Sequence, residues 1–142
     1  MISSLQNDRG LQELYSDISI FSGICDVNIS TTNGVIASPN YPKHYSQNMQ
    51  CTWLIDLGPG YDVTLSFYDF ELEETKECSF DYVLIQEGNT AQSIAIGQFC
   101  SSTVPPVQST NGPMRVSFVS DKDGQMKGFT AVFMAQGLRV LL

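Results

Sequence analysis

Residues 51–67 read CTWLIDLGPGYDVTLSF, and their rhythm decides the fold. Trp53, Ile55 and Leu57 alternate with Thr52, Leu54 and Asp56, while Val63, Leu65 and Phe67 alternate with Asp62, Thr64 and Ser66. A period of two sends successive side chains to opposite faces of an extended chain, so each run reads as a strand with one apolar face. Gly58-Pro59-Gly60 separates them as a turn. Outward from this pair, strand-like runs recur at Phe80 to Gln86, Ile94 to Phe99, Met114 to Val119 and Phe129 to Met134. Turn signals stand between the runs at Pro39-Asn40, Gly88-Asn89, Pro105-Pro106, Asn111-Gly112-Pro113 and Asp123-Gly124. Many short alternating strands without long helical patterns predict an all-β fold, an antiparallel β-sandwich. One domain over 25–136 is expected, followed by a short tail, 137–142. Residues 1–24 are polar and weakly patterned and read as an N-terminal extension or linker. Leu11, Leu14, Ile18 and Phe21 are spaced as in a short amphipathic helix, the competing reading of that segment.

Composition narrows the function. The 142 residues include 8 Phe, 6 Tyr and 1 Trp, enough aromatic surface for a packed core. Fifteen Asp and Glu against 7 Lys and Arg leave a net charge of −8. Binding nucleic acid needs clustered cations to displace counterions, and the balance here runs the other way; it favours metal ions or basic protein surfaces. No apolar run is long enough to span a bilayer as a helix. Cys25, Cys51, Cys78 and Cys100 are widely spaced, with no C-x-x-C pair, and His44 is the only histidine. Zinc and thioredoxin-type sites are therefore unsupported, and two disulfides in an oxidising, extracellular setting are the better reading. Four cysteines allow three pairings; sequential pairing would close two loops of similar length. Asn28-Ile29-Ser30 is an N-glycosylation acceptor. No basic, apolar leader opens residues 1–24, which suggests a piece of a longer precursor, an incomplete gene model or a chain cut for expression.

The residues able to carry chemistry are carboxylates. Between Phe70 and Asp81 the chain reads FELEETKECSFD, and Asp121 and Asp123 follow the strand ending at Val119. Acids crowded at one end of a sandwich repel one another unless a cation joins them, and Ca²⁺ suits hard oxygen ligands. An EF-hand is excluded for DKDG, because Gly124 falls at loop position four and Val132 at position twelve. A solvated acidic face is the plain alternative.

The stretches GVIASPNYPKHY (34–45), CTWLI (51–55), FELEETKECSFDYVLI (70–85) and FVSDKDGQMKGFTAVF (118–133), with Cys25 ahead of them, resemble a CUB domain. The resemblance covers about residues 25–135. It implies a jelly-roll-like β-sandwich with the disulfides Cys25–Cys51 and Cys78–Cys100, in an extracellular interaction module. Many members of the family bind one Ca²⁺, and the matching positions here are Glu73, Asp81 and Asp121, with Glu71 the register alternative to Glu73. Tyr45 matches a tyrosine that lies beside the metal and orients the Glu. The resemblance adds a main-chain carbonyl at Asp123, and it departs at Gly124, where the family often has a side-chain oxygen. Tyr45, Glu73, Asp81 and Asp121 would then receive a Lys or Arg of a partner protein.

An enzyme would need an activated nucleophile or an acid–base pair. Only paired carboxylates such as Glu73 and Asp81 are available, so the chain is read as non-catalytic. Carbohydrate binding of the sperm-surface CUB type and a purely structural, disulfide-stapled role are the alternatives.

Overall fold

The computed structural model describes residues 19–110 and 112–137 as ten strands with no helix. They are β1 (Ser19–Ser22), β2 (Val27–Ile29), β3 (Asn33–Ala37), β4 (Gln50–Ile55), β5 (Tyr61–Glu71), β6 (Tyr82–Glu87), β7 (Ile94–Phe99), β8 (Val107–Ser109), β9 (Met114–Val119) and β10 (Gly128–Gly137). One sheet runs β1-β3-β10-β5-β8 and the other β2-β4-β9-β6-β7. The expected sandwich is present, with one refinement: β1 pairs with β3, and β2 with β4, in parallel. The chain changes sheet at each step from β1 to β4, so each strand meets the one two places later running the same way. Side-chain alternation reports which face is buried and carries no information about a neighbour's direction.

β1 lies ahead of Cys25, in the stretch read as extension or linker. Phe21 packs on Phe133 with ring centroids 6.2 Å apart, from an extended strand and not from a helix. Leu11, Leu14 and Ile18 lie outside the described residues. The run expected from Phe80 begins as a strand only at Tyr82; Phe80 is exposed and Asp81 buried, so the chain enters β6 through a bend.

The two alternating runs that set the pattern become β4 and β5, which lie in opposite sheets. Cys51, Trp53 and Ile55 of β4 point inward with Met114, Val116 and Phe118 of β9; across from them lie Val63 and Leu65 of β5 and Phe129, Ala131 and Phe133 of β10. Phe129 sits at the centre, its ring 5.8 Å from Trp53, 5.7 Å from Phe67 and 5.7 Å from Phe118 in edge-to-face arrangements. Such pairs add about 0.5–1.5 kcal/mol each beyond the area they bury. A bulge where β10 steps from Thr130 to Ala131 leaves Tyr68 without a partner. That extra residue reverses the alternation, turning Phe70 inward and Tyr68 out to solvent.

Both disulfides pair sequentially, with Cα–Cα separations of 5.2 Å for Cys25–Cys51 and 5.4 Å for Cys78–Cys100. The first ties the approach to β2 onto β4; the second ties the loop between β5 and β6 to the end of β7. By loop-closure entropy each should contribute about 3–4 kcal/mol. Replacing Cys25 and Cys51 together by Ser is expected to lower unfolding free energy by that amount, measurable by denaturant titration with an unchanged slope.

Candidate metal centre

Three loops meet at one end of the sandwich. Glu73 lies two residues past β5, Asp81 immediately before β6, and Asp121 two residues past β9. Each strand ends at the same edge because β5, β6 and β9 carry their inward residues into the shared core, so the first free residues beyond them converge. One oxygen from each of these three carboxylates lies within 4.8 Å of the others.

Asp81 is fully buried, and its two oxygens are used. Oδ2 accepts the Tyr45 hydroxyl at 2.5 Å, and Oδ1 accepts the Asp121 main-chain N–H at 2.8 Å. Both bonds favour the charged carboxylate, but burial outweighs them and its pKa is raised. Tyr45, 1% exposed, packs edge-on against Phe118 at 4.9 Å, and its main-chain N–H donates to the Met126 carbonyl. The same hydroxyl accepts the Glu73 N–H at 3.3 Å. Tyr45 therefore orients the Asp81 carboxylate, and its hydroxyl holds Glu73 through the main-chain N–H. Burial and the bond to Asp81 push its pKa up.

Asp121 is held from both sides. Its carbonyl accepts the Asn48 N–H at 2.8 Å, and its Oδ1 accepts the Asp123 N–H at 3.1 Å. Ser120 locks the turn, donating to the Ser46 carbonyl and accepting the Met49 N–H. Ser46, Asn48, Met49 and Ser120 are supports that no spacing rule singles out, because their partners lie more than 70 residues away in the chain.

Glu73 is the unsatisfied member. Its Oε1 is buried with no hydrogen-bond partner among the described residues, and loss of water together with Asp121, Asp81 and Asp123 raises its pKa. Glu71 ends β5 opposite Gly128, is exposed and lies outside the cluster. Asp123 is exposed and also outside it, bonded to Asp121 through its own N–H. Gly124 has a φ of +76°, and a Cβ there would overlap the Glu73 carboxylate. The absence of a side chain at Gly124 leaves room for the Glu73 carboxylate. A carboxylate facing two others with an oxygen left unbonded is a donor set suited to a hard divalent cation.

Beside the centre, Asp69 accepts the Tyr41 hydroxyl at 2.5 Å and pairs with Lys127 at 2.8 Å, and Lys127 and Tyr41 together hold its carboxyl below the usual range. The bulge that exposes Tyr68 brings Asp69 to these partners, a placement that strict alternation does not reveal.

With this geometry in view, the relatives can be placed. The CUB domain family model matches residues 25–133, and the chain belongs to that family. It is 40% identical over 108 residues to mouse Tolloid-like protein 1, covering 75% of this chain and 11% of that protein. To rat Cubilin it is 40% identical over 107 residues, covering 75% of this chain and 3% of that protein. The chain thus spans only a small part of these relatives. Among solved structures, the full extracellular region of zebrafish Gpr126/Adgrg6 superposes with a TM-score of 0.71 at 32% identity, over 80% of this chain and 15% of that one. The MASP-1 CUB2 domain bound to Ca²⁺ superposes with a TM-score of 0.69 at 30% identity, over 78% and 98%. A CUB domain is an interaction module of multidomain proteins and is not itself catalytic.

A carboxyl whose pKa rises on folding leaves stability intact below its ordinary range and lowers it as pH climbs through the raised value. Without divalent cations, Glu73→Gln should therefore melt a few degrees above the parent at neutral pH. The gap should close as pH is lowered below the ordinary glutamate range, where Glu73 is protonated in the folded and the unfolded chain alike. Calorimetry in chelator at both pH values checks this.

Proposed function

We propose that this is an extracellular protein–protein interaction module that binds one Ca²⁺ through Glu73, Asp81 and Asp121. The Asp123 main-chain carbonyl or carboxylate, and water, would complete the six to eight oxygens the ion prefers. The observation that carries the reading is the convergence of three carboxylates around a buried, unbonded Glu73 Oε1. The Ca²⁺-bound MASP-1 domain and the extracellular region of Gpr126/Adgrg6 among the structural relatives support both the metal and the compartment.

Charge arithmetic gives the mechanism. Three carboxylates less one Ca²⁺ leave about −1, with the remaining lone pairs held in place and turned outward. A Lys or Arg of a partner protein can bond to the acids that hold the metal, and the mean charge of the chain favours its approach. Tyr45 acts from beneath, through Asp81 and Glu73, since its ring is buried. Losing calcium would restore repulsion among the acids and loosen the three loops, so partner binding and loop order are lost together.

At millimolar calcium, an affinity of about 10⁻⁴–10⁻³ M gives about 0.5–1.5 kcal/mol, a melting shift of a few degrees. Titration with CaCl₂ should raise the melting temperature of the parent and leave Asp121→Ala unmoved; an equal response overturns the metal assignment. N-acetyl-lysine methylamide should then shift the amide signals of residues 121–124 only in calcium. Shifts that persist in chelator would overturn lysine capture while sparing the metal.

A further inference from the structure

We infer that Asn28 carries an N-linked glycan that lies along the outer face of the β2-β4-β9-β6 sheet, anchored at the end of β4 remote from the acidic loops. Asn28-Ile29-Ser30 is the only Asn-X-Ser/Thr in the chain, with X other than Pro. Its geometry adds what the motif alone lacks. β2 is an edge strand, paired on one side only. Ile29 points into the core at 2% exposure, which turns Asn28 outward, and both Asn28 and Ser30 are exposed. No hydrogen bond among the described residues uses the Asn28 carboxamide.

Room for a sugar lies next to it. An open groove of about 480 Å³ is lined by Asn28, Gln50, Thr52, Leu54 and Arg115, among others. Asn28 stands opposite Leu54, Leu54 opposite Arg115, and Arg115 opposite Gln86, so one row of side chains crosses the sheet. Arg115 is held flat on this face by bonds of 2.7 Å to Gln86 Oε1 and 3.2 Å to Ser117 Oγ. The row offers an apolar patch for a pyranose face at Leu54, with a hydroxyl at Thr52 and guanidinium N–H donors at Arg115 for the sugar's oxygens. Residues 50 and 119 mark the acidic end of this sheet, whereas Asn28 pairs near the opposite end of β4. The attachment point therefore stands at the end of β4 remote from the calcium loops, and Gln50 is the groove residue at their end.

The modification is a group transfer from a lipid-pyrophosphate-linked oligosaccharide in the secretory lumen. Asn28 Nδ2 bonds to C1 of the first sugar, the C1–O bond to pyrophosphate breaks, the amide gives up one proton, and lipid pyrophosphate leaves; nothing is oxidised or reduced.

The test is secretion of the 142-residue chain from eukaryotic cells behind an added signal sequence, followed by intact mass and peptide mapping. The expected result is a carbohydrate mass that peptide N-glycosidase removes, with deamidation at Asn28 alone, and that is absent from Asn28→Gln and from Ser30→Ala. Phenylglyoxal should modify Arg115 more slowly in the glycosylated protein than in Asn28→Gln. Secreted, disulfide-intact protein without carbohydrate on Asn28 overturns the proposal, because its disulfides show that the chain passed the oxidising compartment. Equal Arg115 reactivity overturns the placement over the groove. Calcium-induced melting shifts should match in glycosylated protein and Asn28→Gln, and a glycan-dependent shift would overturn the separation of the two surfaces.

Discussion

A carboxylate with no exposed surface needs donors on both oxygens, and the acidic end of this domain is arranged around meeting that need for Asp81. Tyr45 supplies one donor and the Asp121 main chain the other. Each donor is in turn held by something larger. Tyr45 rests on Phe118, which rests on Phe129 and so on the whole aromatic core; Asp121 is held by Asn48 and by the Ser120 turn. The position of a single buried charge thus couples three loops to both sheets, and a buried, hydrogen-bonded charge is costly to strand by losing one partner.

Stability and site pull in opposite directions at Glu73. Its carboxylate is crowded by like charge and short of a donor, which a domain selected for stability alone would avoid. Gly124 makes the crowding sterically possible: with a positive φ and no Cβ, it lets the carboxylate occupy space that a side chain would take. Residues that break local rules of satisfaction tend to mark function, and these two break them side by side. The disulfides and the aromatic core carry the stability that the acids give up.

Much of this was legible in the sequence, and the rest was hidden for definable reasons. Trp53, Ile55, Val63, Leu65, Val116, Phe118, Phe129 and Phe133 lie inward as alternation predicts, because a two-residue period is a local property. The parallel pairing of β1 with β3 and of β2 with β4 was hidden, because pairing direction depends on how the chain crosses between sheets. β1 itself, four residues with Phe21 as its core contact, was too short to leave a pattern. Tyr68 and Asp69 could not be placed, because a one-residue bulge inverts every face beyond it. At the acidic end, the resemblance to a CUB domain brought Glu73, Asp81 and Asp121 together, and one oxygen of each lies within 4.8 Å of the others, with Glu71 outside the group. The Ser46, Asn48, Met49 and Ser120 supports are contacts across long stretches of chain, which spacing does not encode.

Strand directions also place both ends of the described sandwich at one pole. β1 starts at Ser19 opposite Gly34, and β10 finishes at Gly137 opposite Tyr61, so entry and exit share the pole remote from Asp81. The acidic pole is thus the one that neither end of the described sandwich occupies, like the head of a pin.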